Sequence, residues 1–376
     1  MKKVIVSVIN DLATDQRVHK TCMCLHNLGF EVLLVGRLLK GSLPMNDRAY
    51  KSHRMELIFT KGPFFYLEFQ IRLFFFLLFK RTNLLVSNDL DTLLPNYWMS
   101  KIKGVELVYD THEYFCYVPE LIHRPLKQKI WLALEKRIFP KLEHIITVND
   151  SIAEKYKNAY GVTLSVVQNV PLKSAFATDK LSAKSKEELG LPMDKKIVLL
   201  QGAGININRG AEEAVEAMQY INNAVFLIIG SGDIIEELKL KVLMLRLDGK
   251  VFFIKKLPWA EMLNYTRAAD IGLSLDKDNS PNYYFSLPNK LFDYIHSEIA
   301  VLVSPLVEIK KVLTEFNVGE MIENHDPKHI AEKINAMLTN EPQMDLWKSN
   351  TILAANKYCW ENEQQKLIEI FRPFAH

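Results

Sequence analysis

Short apolar runs alternate with longer amphipathic segments from the first residues of the chain to beyond residue 320, and this alternation constrains the fold more than any other feature. The short runs are rich in β-branched residues, which is typical of strands. The segments between them carry apolar residues three and four positions apart, which is typical of helices. Such an alternation predicts parallel sheets that are covered by helices on both faces.

The same pattern predicts where the individual elements lie. In the first half we expect strands over residues 4–9, 32–35, 84–86, 105–109, 144–148 and 164–167, and helices over 17–28, 93–102, 126–139 and 152–160. In the second half we expect strands over residues 197–200, 225–229, 251–254, 271–275 and 300–303, and helices near 210–220, 233–247, 258–268, 288–296 and 307–315. After Pro342 only helical segments follow.

A segment without strong apolar periodicity separates the two halves. Residues 173–195 are rich in Lys, Ser, Ala and Asp, which is the composition of a linker. We therefore expect two doubly wound, Rossmann-like domains at residues 1–172 and 196–340, followed by helices at 341–376 that pack back on the first domain. A chain of 376 residues is long enough to build both cores. Because such folds bind ligands at the carboxyl ends of their strands, the expected site is a central cleft between the two sheets.

Charge and cysteine content exclude some classes of function. The 47 Lys and Arg residues nearly balance the 44 Asp and Glu residues, and a net charge of +3 is too small to indicate a nucleic-acid-binding protein. Cys22 and Cys24 lie in a helical pattern, which favours reduced thiols over a metal site. The short apolar run at the N-terminus matches a strand better than a signal peptide. We expect a cytoplasmic protein that binds neither nucleic acid nor a metal ion.

The most apolar stretch of the chain, residues 64–79, has two interpretations. Arg72 and neighbouring polar residues interrupt it, so its uncharged run is shorter than the roughly 18 residues that cross a bilayer. It is either a core helix or a helix that lies on anionic lipid, which the nearby Lys61, Lys80 and Arg81 favour. The second interpretation adds a peripheral contact with the inner face of the membrane.

The most informative motif is the helix start Ser-Leu-Pro-Asn-Lys-Leu-Phe-Asp, which begins at Ser286. Ser286 is expected to cap the helix with Pro288 in its first turn, so that the amides of residues 288–291 face an anionic ligand. Lys290 would add a charge that binds phosphate. Asp293, about one turn further on, could accept hydrogen bonds from ribose hydroxyls. The alternative is a capped surface helix with a solvated Asp293.

Glycine-bearing turns follow two predicted strands of the second half. Gly202 and Gly204 begin a loop that ends at Arg209 and Gly210, and an arginine suits bidentate contact with a diphosphate. The G-x-G is not followed by x-x-G, and no acidic residue ends the next strand, so a dinucleotide site is not indicated. Gly230 opens a further turn, for which a plain strand-to-helix connection is the alternative.

Polar side chains also follow several predicted strands of the first half: Asp15, Arg17, Asp89, Asp110, His112 and Glu113. Their clustering is typical of a site for a polyhydroxylated ligand rather than for a hydride acceptor. His112, which has carboxylates close on both sides in the sequence, is a candidate transition-state contact. A structural histidine is the alternative.

Together these segments resemble the retaining GT-B glycosyltransferases of the glycosyl transferases group 1, or family-4-like, class. The resemblance covers nearly the whole chain and rests mainly on residues 286–294, 202–210 and 109–113. It implies an α/β fold of two doubly wound, Rossmann-like domains that face a central cleft. It also implies a metal-independent hexosyl transfer with retention, from a UDP- or GDP-sugar to a saccharide or lipid-linked acceptor, in surface polysaccharide biosynthesis.

The resemblance further implies roles for particular residues. Arg209 and Lys290 would bind the leaving diphosphate, and Asp293 would stand where the second Glu of the family's E-x7-E motif holds the ribose. His112 would lie near the transferred sugar, and these three, Arg209, Lys290 and His112, form the expected catalytic set. The remaining donor-binding residues would be Gly202, Gly204, Gly230, Asn289 and Leu291. The acceptor side would contain Asp15, Arg17, Asp89, Asp110 and Glu113.

The sequence departs from the family pattern at two positions. The first Glu of the motif falls at Phe285, and the basic residue that usually follows the first loop glycine is Ala203. Two other functions therefore stay open. One is a nucleotide-sugar epimerase of the same two-domain architecture, which would change the sugar without an acceptor. The other is a non-catalytic protein that binds a nucleotide-sugar.

Overall fold

A computed structural model of the chain describes residues 1–45, 47–177 and 184–375, and these residues form two units. Unit 1 contains Met1–Asn169 together with Glu363 and the residues after it. Unit 2 contains Val170–Asn362. Each unit is an α/β layer structure built around one parallel sheet, as the alternation of strands and helices predicts.

Unit 1 contains a seven-stranded sheet flanked by helices. Its strands are β1 (Lys3–Asp11), β2 (Glu31–Leu38), β3 (Lys51–Glu56), β4 (Leu84–Asn88), β5 (Glu106–Thr111), β6 (His144–Thr147) and β7 (Ser165–Val166). Its helices are α1 (Gln16–Asn27), α2 (Gly62–Phe79), α3 (Leu90–Lys103), α4 (Pro119–Ile122), α5 (Pro125–Ile138) and α6 (Asp150–Tyr160). The end of the last helix of the chain also belongs to this unit.

Unit 2 contains a six-stranded sheet. Its strands are β8 (Lys196–Gly202), β9 (Ala224–Gly230), β10 (Val251–Lys255), β11 (Ile271–Ser274), β12 (Ala300–Val303) and β13 (Gly319–Met321). The helices from its start to the end of the chain are α7 (Lys173–Ala177), α8 (Ala211–Ala217), α9 (Ile235–Met244), α10 (Trp259–Ala268), α11 (Pro281–Tyr284), α12 (Asn289–His296), α13 (Val307–Phe316), α14 (Pro327–Thr339), α15 (Glu341–Lys357) and α16 (Trp360–Ala375).

Both sheets have the strand order of a doubly wound fold. The order is β3-β2-β1-β4-β5-β6-β7 in unit 1 and β10-β9-β8-β11-β12-β13 in unit 2, and every pairing among the described residues is parallel. The order therefore reverses between β1 and β4 and again between β8 and β11. In folds of this kind, the carboxyl ends of the strands at such a reversal form the ligand crevice.

The cores explain why the central strands could be predicted. In β8 successive side chains point to opposite faces of the sheet, so Val198 and Leu200 join one apolar cluster while Ile197 and Leu199 join another. All four are almost fully buried. A strand that is covered on both faces must be apolar on both, and a continuous apolar run in the sequence is the result.

The elements that the pattern did not predict are short or polar. Strand β3 forms an edge of its sheet, and Met55 is its only buried residue among the six described. Strand β13 has three residues and is also an edge strand. Edge strands keep one side open to solvent, so they carry little of the apolar signal. Helix α14 was not predicted either, although it buries Ile330, Ala331 and Ile334.

The segment predicted as a linker contains ordered secondary structure. Its first residues form α7, in which Phe176 is buried. Residues 178–183 lie outside the described residues. The structure divides the chain at Val170 and again at Glu363, so α15 lies in unit 2 and most of α16 lies in unit 1.

Candidate functional site

Two cations of unit 2 converge on one buried carboxylate. Asp276 follows β11 and is 1% exposed. Its carboxylate lies 3.0 Å from Nη1 of Arg209, which ends the loop after β8, and 2.8 Å from Nζ of Lys290, in the first turn of α12. Strands β8 and β11 flank the reversal of strand order in this sheet, so the three charges lie where doubly wound folds bind ligands.

The charges of this cluster stabilise one another. Burial alone would raise the pKa of Asp276, but the positive charges of Lys290 and Arg209 outweigh burial and lower it. Burial opposes the charge of Arg209 as well, but the neighbouring Asp276 and Tyr283 raise the pKa of the guanidinium. Nη2 of Arg209 donates a hydrogen bond of 2.8 Å to Oη of Tyr283, and the guanidinium lies 4.3 Å from the centre of that ring. Arg209 is thus held charged and in one position.

Asp293 lies in a buried polar network instead of in solvent. It is 9% exposed, and its two carboxylate oxygens accept hydrogen bonds from Nε2 of Gln201 at 3.1 Å and from Nε1 of Trp259 at 3.3 Å. Oε1 of Gln201 in turn accepts a hydrogen bond of 2.7 Å from the hydroxyl of Thr266. The carboxylate is therefore oriented by two neighbouring elements, β8 and α10, and the alternative of a solvated surface residue is wrong.

The start of α12 corrects the expected capping. Pro288, not Ser286, occupies the N-cap position, and no side chain caps the helix. Pro288 has no N–H, and the N–H of Leu291 donates to the Pro288 carbonyl at 3.1 Å. The side chain of Leu291 is fully buried in the core of unit 2. Neither Pro288 nor Leu291 can therefore offer a free amide. Leu291 also exposes no atom to a ligand, so its expected role in donor binding has no structural support. Asn289 and Lys290 begin the helix.

The two glycine turns of unit 2 pack backbone against backbone. A Cβ atom on Gly230 would lie 1.8 Å from the carbonyl oxygen of Gly202, and one on Gly232 would lie 1.8 Å from that of Ile205. The N–H of Ser231 donates to the Gly202 carbonyl at 3.1 Å, and the N–H of Ile205 donates to the Ser231 carbonyl at 3.0 Å. The glycines allow this close approach, which holds the loop after β8 in place.

The remaining glycines of the loop differ from each other. A Cβ atom on Gly204 would meet only Nδ2 of Asn206, at 4.0 Å, so the space around Gly204 is open. Gly210 has φ +75°, and a Cβ atom there would lie 2.4 Å from the carbonyl oxygen of Leu275. Gly210 thus brings the residue before it, Arg209, close to the end of β11.

In unit 1, His112 lies between the half-buried carboxylate of Asp89 and the buried carboxylate of Asp110. Its Nδ1 is 3.3 Å from Oδ2 of Asp89, and its Nε2 is 3.5 Å from Oδ2 of Asp110. The backbone N–H of His112 also donates to Oδ1 of Asp89 at 2.8 Å. Burial alone would lower the pKa of His112, but Asp89 and Asp110 outweigh burial and raise it to about 9. The sequence neighbour Glu113 is not one of the two carboxylates.

The turn that carries Asp89 is strained. Asp89 joins β4 to α3 with φ 59°, a conformation that side chains other than glycine adopt rarely. Burial raises the pKa of Asp89, and it raises that of Asp91, two residues on, still further, with the Asp89 charge as a second cause. Asp91 is 5% exposed. Both carboxyl groups at the end of β4 therefore ionise less readily than free carboxyl groups, and Asp91 does so less readily than Asp89.

Arg17 and Asp110 form a buried ion pair in the same unit. Nη2 of Arg17 lies 2.7 Å from Oδ1 of Asp110, and Nη1 donates to the Val167 carbonyl at 2.9 Å. Burial would raise the pKa of Asp110, but Arg17 and His112 lower it. Asp15 has a different role, because its carboxylate accepts the N–H of Val18 at 3.0 Å and so caps α1.

The structure thus brings together Arg17, Asp89, Asp110 and His112 in unit 1, and Arg209 and Lys290 in unit 2. Sequence reasoning missed Asp276, Tyr283, Gln201 and Trp259. Asp276 could have been found, because it follows a predicted strand in the same way as the polar residues of the first half. Gln201 carries the same signal, because it follows the predicted strand 197–200, whereas Tyr283 and Trp259 carry no local signal.

One group of metal-ligand side chains occurs among the described residues. It contains Glu106, Glu143 and His144, whose ligand atoms lie within 4.8 Å of one another. Glu106 and His144 begin β5 and β6, so the group is at the amino ends of these strands and outside both polar clusters. The absence of a metal ion from the reaction stays a prediction.

Two Rossmann-like units, each with a doubly wound parallel sheet, are the architecture of the GT-B fold. A model of the family "Glycosyltransferase Family 4" matches residues 15–170, and a model of "Glycosyl transferases group 1" matches residues 182–353. Together the two models match most of the chain. The chain belongs to the group 1 glycosyltransferases of the GT-B fold, and its N-terminal unit is of the family-4 type. The predicted family and fold are confirmed.

Individual proteins resemble the chain only distantly in sequence. D-inositol 3-phosphate glycosyltransferase of Xylanimonas cellulosilytica is 19% identical over 196 residues, which are 50% of this chain and 44% of that protein. The chain therefore spans less than half the length of this curated relative.

Solved structures show the similarity of fold. Sucrose-phosphate synthase from Thermosynechococcus elongatus has a TM-score of 0.83 at 15% identity and covers 99% of both chains. WaaG, a glycosyltransferase involved in lipopolysaccharide biosynthesis, has a TM-score of 0.73 at 14% identity over 98% of this chain and 99% of its own. Anabaena HepE in complex with UDP-glucose has a TM-score of 0.73 at 13% identity over 99% of this chain and 100% of its own.

Proposed function

We propose that the chain transfers a hexosyl group from a UDP- or GDP-sugar to a saccharide or lipid-linked acceptor, with retention at the anomeric carbon. The observation that carries this proposal is the convergence of Arg209 and Lys290 on Asp276 at the carboxyl ends of β8 and β11. Two fixed cations at this edge suit a diphosphate, whose negative charge grows as its bond to the sugar breaks. The UDP-glucose complex of the structural relative HepE supports the choice of donor.

The proposed chemistry uses these cations on the leaving group. The bond between C1 of the sugar and the diphosphate oxygen breaks, and its electron pair stays on the diphosphate. The acceptor hydroxyl oxygen forms the new bond to C1, and its proton passes to the departing diphosphate oxygen. Arg209 and Lys290 would neutralise the leaving charge, so the proposal needs no resident metal ion. Nε of Arg209 is buried and has no hydrogen-bond acceptor among the described residues, so this donor can serve a phosphate oxygen.

The nucleoside is assigned to the network around Asp293. The carboxylate of Asp293 is held in place by hydrogen bonds from Gln201 and Trp259, and a carboxylate is the acceptor type that ribose hydroxyls require. The indole of Trp259 is 39% exposed beside this carboxylate. It offers an aromatic face on which a base can stack.

The acceptor is assigned to unit 1. The His112 imidazolium, with its raised pKa, can donate a hydrogen bond to a sugar hydroxyl, and the surrounding carboxylates can accept from others. We also propose a role in surface polysaccharide biosynthesis and a cytoplasmic location, with peripheral contact at the inner face of a membrane. The similarity to WaaG and the exposed apolar face of α2 support these parts of the proposal.

Nucleotide affinity tests the site. We expect Arg209→Ala to weaken the binding of UDP or GDP by about tenfold to a hundredfold, because a charge-assisted hydrogen bond contributes about 1.5–3 kcal/mol. Asp293→Asn should weaken it less, because the amide keeps one acceptor. Arg246→Ala and Asp248→Asn change exposed residues of the same unit and serve as matched controls. Isothermal titration measures the affinities, and circular dichroism checks the fold. Unchanged affinity in both site variants would contradict the assignment.

The reaction itself separates the proposal from its alternatives. Incubated with donor and no acceptor, a retaining transferase should slowly release nucleoside diphosphate and a sugar of the donor's anomeric form. An epimerase would instead return a nucleotide-sugar with altered stereochemistry. A non-catalytic binding protein would leave the donor intact. Nuclear magnetic resonance of the released sugar distinguishes the three outcomes.

A further inference from the structure

Helix α2 has an apolar stripe on each of two opposite sides. Its buried side chains are Phe65, Phe69, Leu73 and Leu77, spaced four residues apart. Its exposed large side chains are Phe64, Leu67, Ile71, Phe75 and Phe79, whose exposed fractions run from 48% to 81%. Each residue turns a helix by about 100°, so the two stripes lie on opposite sides. The solvent side of a surface helix is ordinarily polar, and an apolar one indicates that something covers it.

This exposed face continues onto neighbouring residues. Ile58 and Phe59 precede the helix and are 77% and 46% exposed. Trp98 of α3 is 51% exposed and meets Phe74 edge-on, with 6.0 Å between ring centres. Tryptophan is enriched where proteins meet the lipid–water interface. We call the exposed stripe of α2 together with these three residues the α2 face.

Cations border the α2 face. Lys61 comes directly before α2, and Lys80 and Arg81 come directly after it, all exposed. Arg72, on the helix itself, is 2.8 Å from a carboxylate oxygen of Glu68, whose oxygens also accept the backbone N–H groups of Ile58 and Phe59. An apolar helix face with basic residues at both ends is the arrangement of helices that lie in an anionic lipid interface.

A groove with mixed polar and apolar walls adjoins this face. It has a volume of about 590 Å³ and lies between β3 and α2, with Met55, Ile71, Phe75, Phe76 and Phe79 as its apolar lining. Its polar lining consists of His53, Arg54, Glu56, Arg72 and Lys80. The lining thus contains three permanent cations and one carboxylate, and two of the cations also have acidic neighbours outside the groove, Glu68 at 2.8 Å from Arg72 and Asp11 at 3.9 Å from Arg54. The volume falls within the roughly 300–1,000 Å³ of small-molecule sites.

The groove is organised around the Phe76 ring. His53 of β3 stacks on that ring with 4.7 Å between ring centres, and Nζ of Lys80, which directly follows α2, lies 5.5 Å from the ring centre. Burial lowers the pKa of His53, and the charge of Lys80 lowers it further. The stacked rings of His53 and Phe76 suit contact with a hydrocarbon chain, and the cations beside them suit a phosphate group.

We propose that the α2 face lies on an anionic phospholipid bilayer and that the β3–α2 groove receives the phosphate headgroup of one of its lipids. The helix does not cross the bilayer, because its other stripe packs in the core of unit 1, where Phe69, Leu73 and Leu77 are fully buried. This inference specifies the lipid class and the contact surface of the membrane association proposed above. It does not involve the nucleotide-sugar site.

Binding to vesicles tests the proposal. The full chain should co-sediment with vesicles of phosphatidylcholine and phosphatidylglycerol, more weakly with phosphatidylcholine alone, and more weakly at high salt. Lys80→Gln with Arg81→Gln should reduce binding to the mixed vesicles by about thirtyfold, since each basic residue near an anionic surface contributes about 1 kcal/mol. Phe75→Ser with Phe79→Ser should reduce it by at least about tenfold through lost apolar burial.

Unit 2 provides matched controls. Leu240→Ser with Leu243→Ser removes two side chains that are each 62% exposed on α9, and Lys255→Gln with Lys256→Gln removes two adjacent exposed charges. Both control variants should bind vesicles like the unchanged chain. Equal losses in the control and test variants would overturn the proposal, and so would equal binding to both kinds of vesicle.

The unaltered protein gives a second readout that does not depend on a destabilised variant. Brominated phospholipids should quench the fluorescence of Trp98 on binding, and Trp98→Phe should abolish most of that quenching.

Sedimentation velocity without lipid identifies another occupant: a dimer that dissociates in Phe75→Ser with Phe79→Ser, together with no vesicle binding, would assign the α2 face to a second copy and overturn the proposal. Nucleotide affinity should be unchanged in all these variants, so a failure here leaves the proposed glycosyl transfer standing.

Discussion

At the scale of single residues, the structure pairs charges that are far apart in the sequence. Asp276 gathers Arg209 and Lys290, and Asp89 and Asp110 enclose His112. In each case burial makes an isolated charge costly, so the partners are needed to keep the groups ionised. In unit 2 two cations share one carboxylate, and in unit 1 the Asp110 carboxylate lies between the cations Arg17 and His112.

The imidazolium predicts a pH dependence. Since the pKa of His112 is raised to about 9 in the folded state, its stabilisation is complete below its unfolded pKa of about 6.5 and is lost as the pH rises through about 9. At about 1.4 kcal/mol per pKa unit, this amounts to about 3 kcal/mol at most. The His112 ring resonance should titrate near pH 9, with His112→Gln used for its assignment. The thermal midpoint should fall more between pH 6.5 and pH 9.5 in the unchanged chain than in His112→Gln. A titration midpoint at or below 6.5 would refute this.

At the scale of elements, two turns of unit 2 determine where the phosphate-binding candidates lie. The turn after β9 supports the loop after β8 through backbone contacts that only glycine permits, and Gly210 then sets Arg209 beside Asp276. These positions are glycine because the backbones of the two turns approach closely, and their being glycine is not evidence of ligand contact. Gly230 in particular has a structural reason for being glycine.

A substitution in the second turn tests this account. Gly232→Ala should destabilise the chain by about 1–3 kcal/mol, because its Cβ would lie 1.8 Å from the Ile205 carbonyl oxygen and the loop would have to move. Nucleotide affinity should fall with it, since the loop carries Arg209. Gly249→Ala is the matched control, because nothing lies within 4 Å of its Cβ position. Urea unfolding and nucleotide titration measure both effects. Equal stability of the two variants would show that the turns are not packed as described.

At the scale of the whole molecule, the chain returns to unit 1 at its end. Oε2 of Glu363 accepts the backbone N–H of Gln168 at 2.9 Å, and Leu367 and Phe371 of α16 are 1% and 0% exposed. Unit 1 is therefore completed by residues that follow all of unit 2 in the sequence. An isolated fragment that ends near residue 170 would lack this part of its core.

The terminal helix should accordingly control the stability of unit 1. Phe371→Ala removes a fully buried ring, and the expected cost is about 3–5 kcal/mol. Hydrogen exchange should accelerate in β6 and β7, while the strands of unit 2 keep their protection. Leu353→Ala, which alters a side chain that is 59% exposed on α15, is the control. If exchange in unit 1 matched that of the control, the packing of α16 would not contribute as proposed.

Local pattern was sufficient for the fold class, for the buried strands and for most of the longer helices. Buried strands such as β1 and β8 are continuous apolar runs because helices cover both their faces. The need for apolar side chains on both faces is therefore visible in the residues of each strand. The same reasoning explains the failures. The polar edge strand β3 and the three-residue β13 escape detection because edge strands need little apolar surface, and the alternative interpretations of α2 arise because both its stripes are apolar.

The sequence by itself determined the two parallel α/β units, the polar residues at the strand ends and the family. Only the tertiary structure decided which of those residues meet. The contact of Asp276 with Arg209 and Lys290 spans 67 and 14 positions of the sequence, and that of His112 with Asp89 spans 23. Such pairings depend on the order in which strands assemble into a sheet, and strand order is a property of the assembled sheet that the residues of a single strand do not encode.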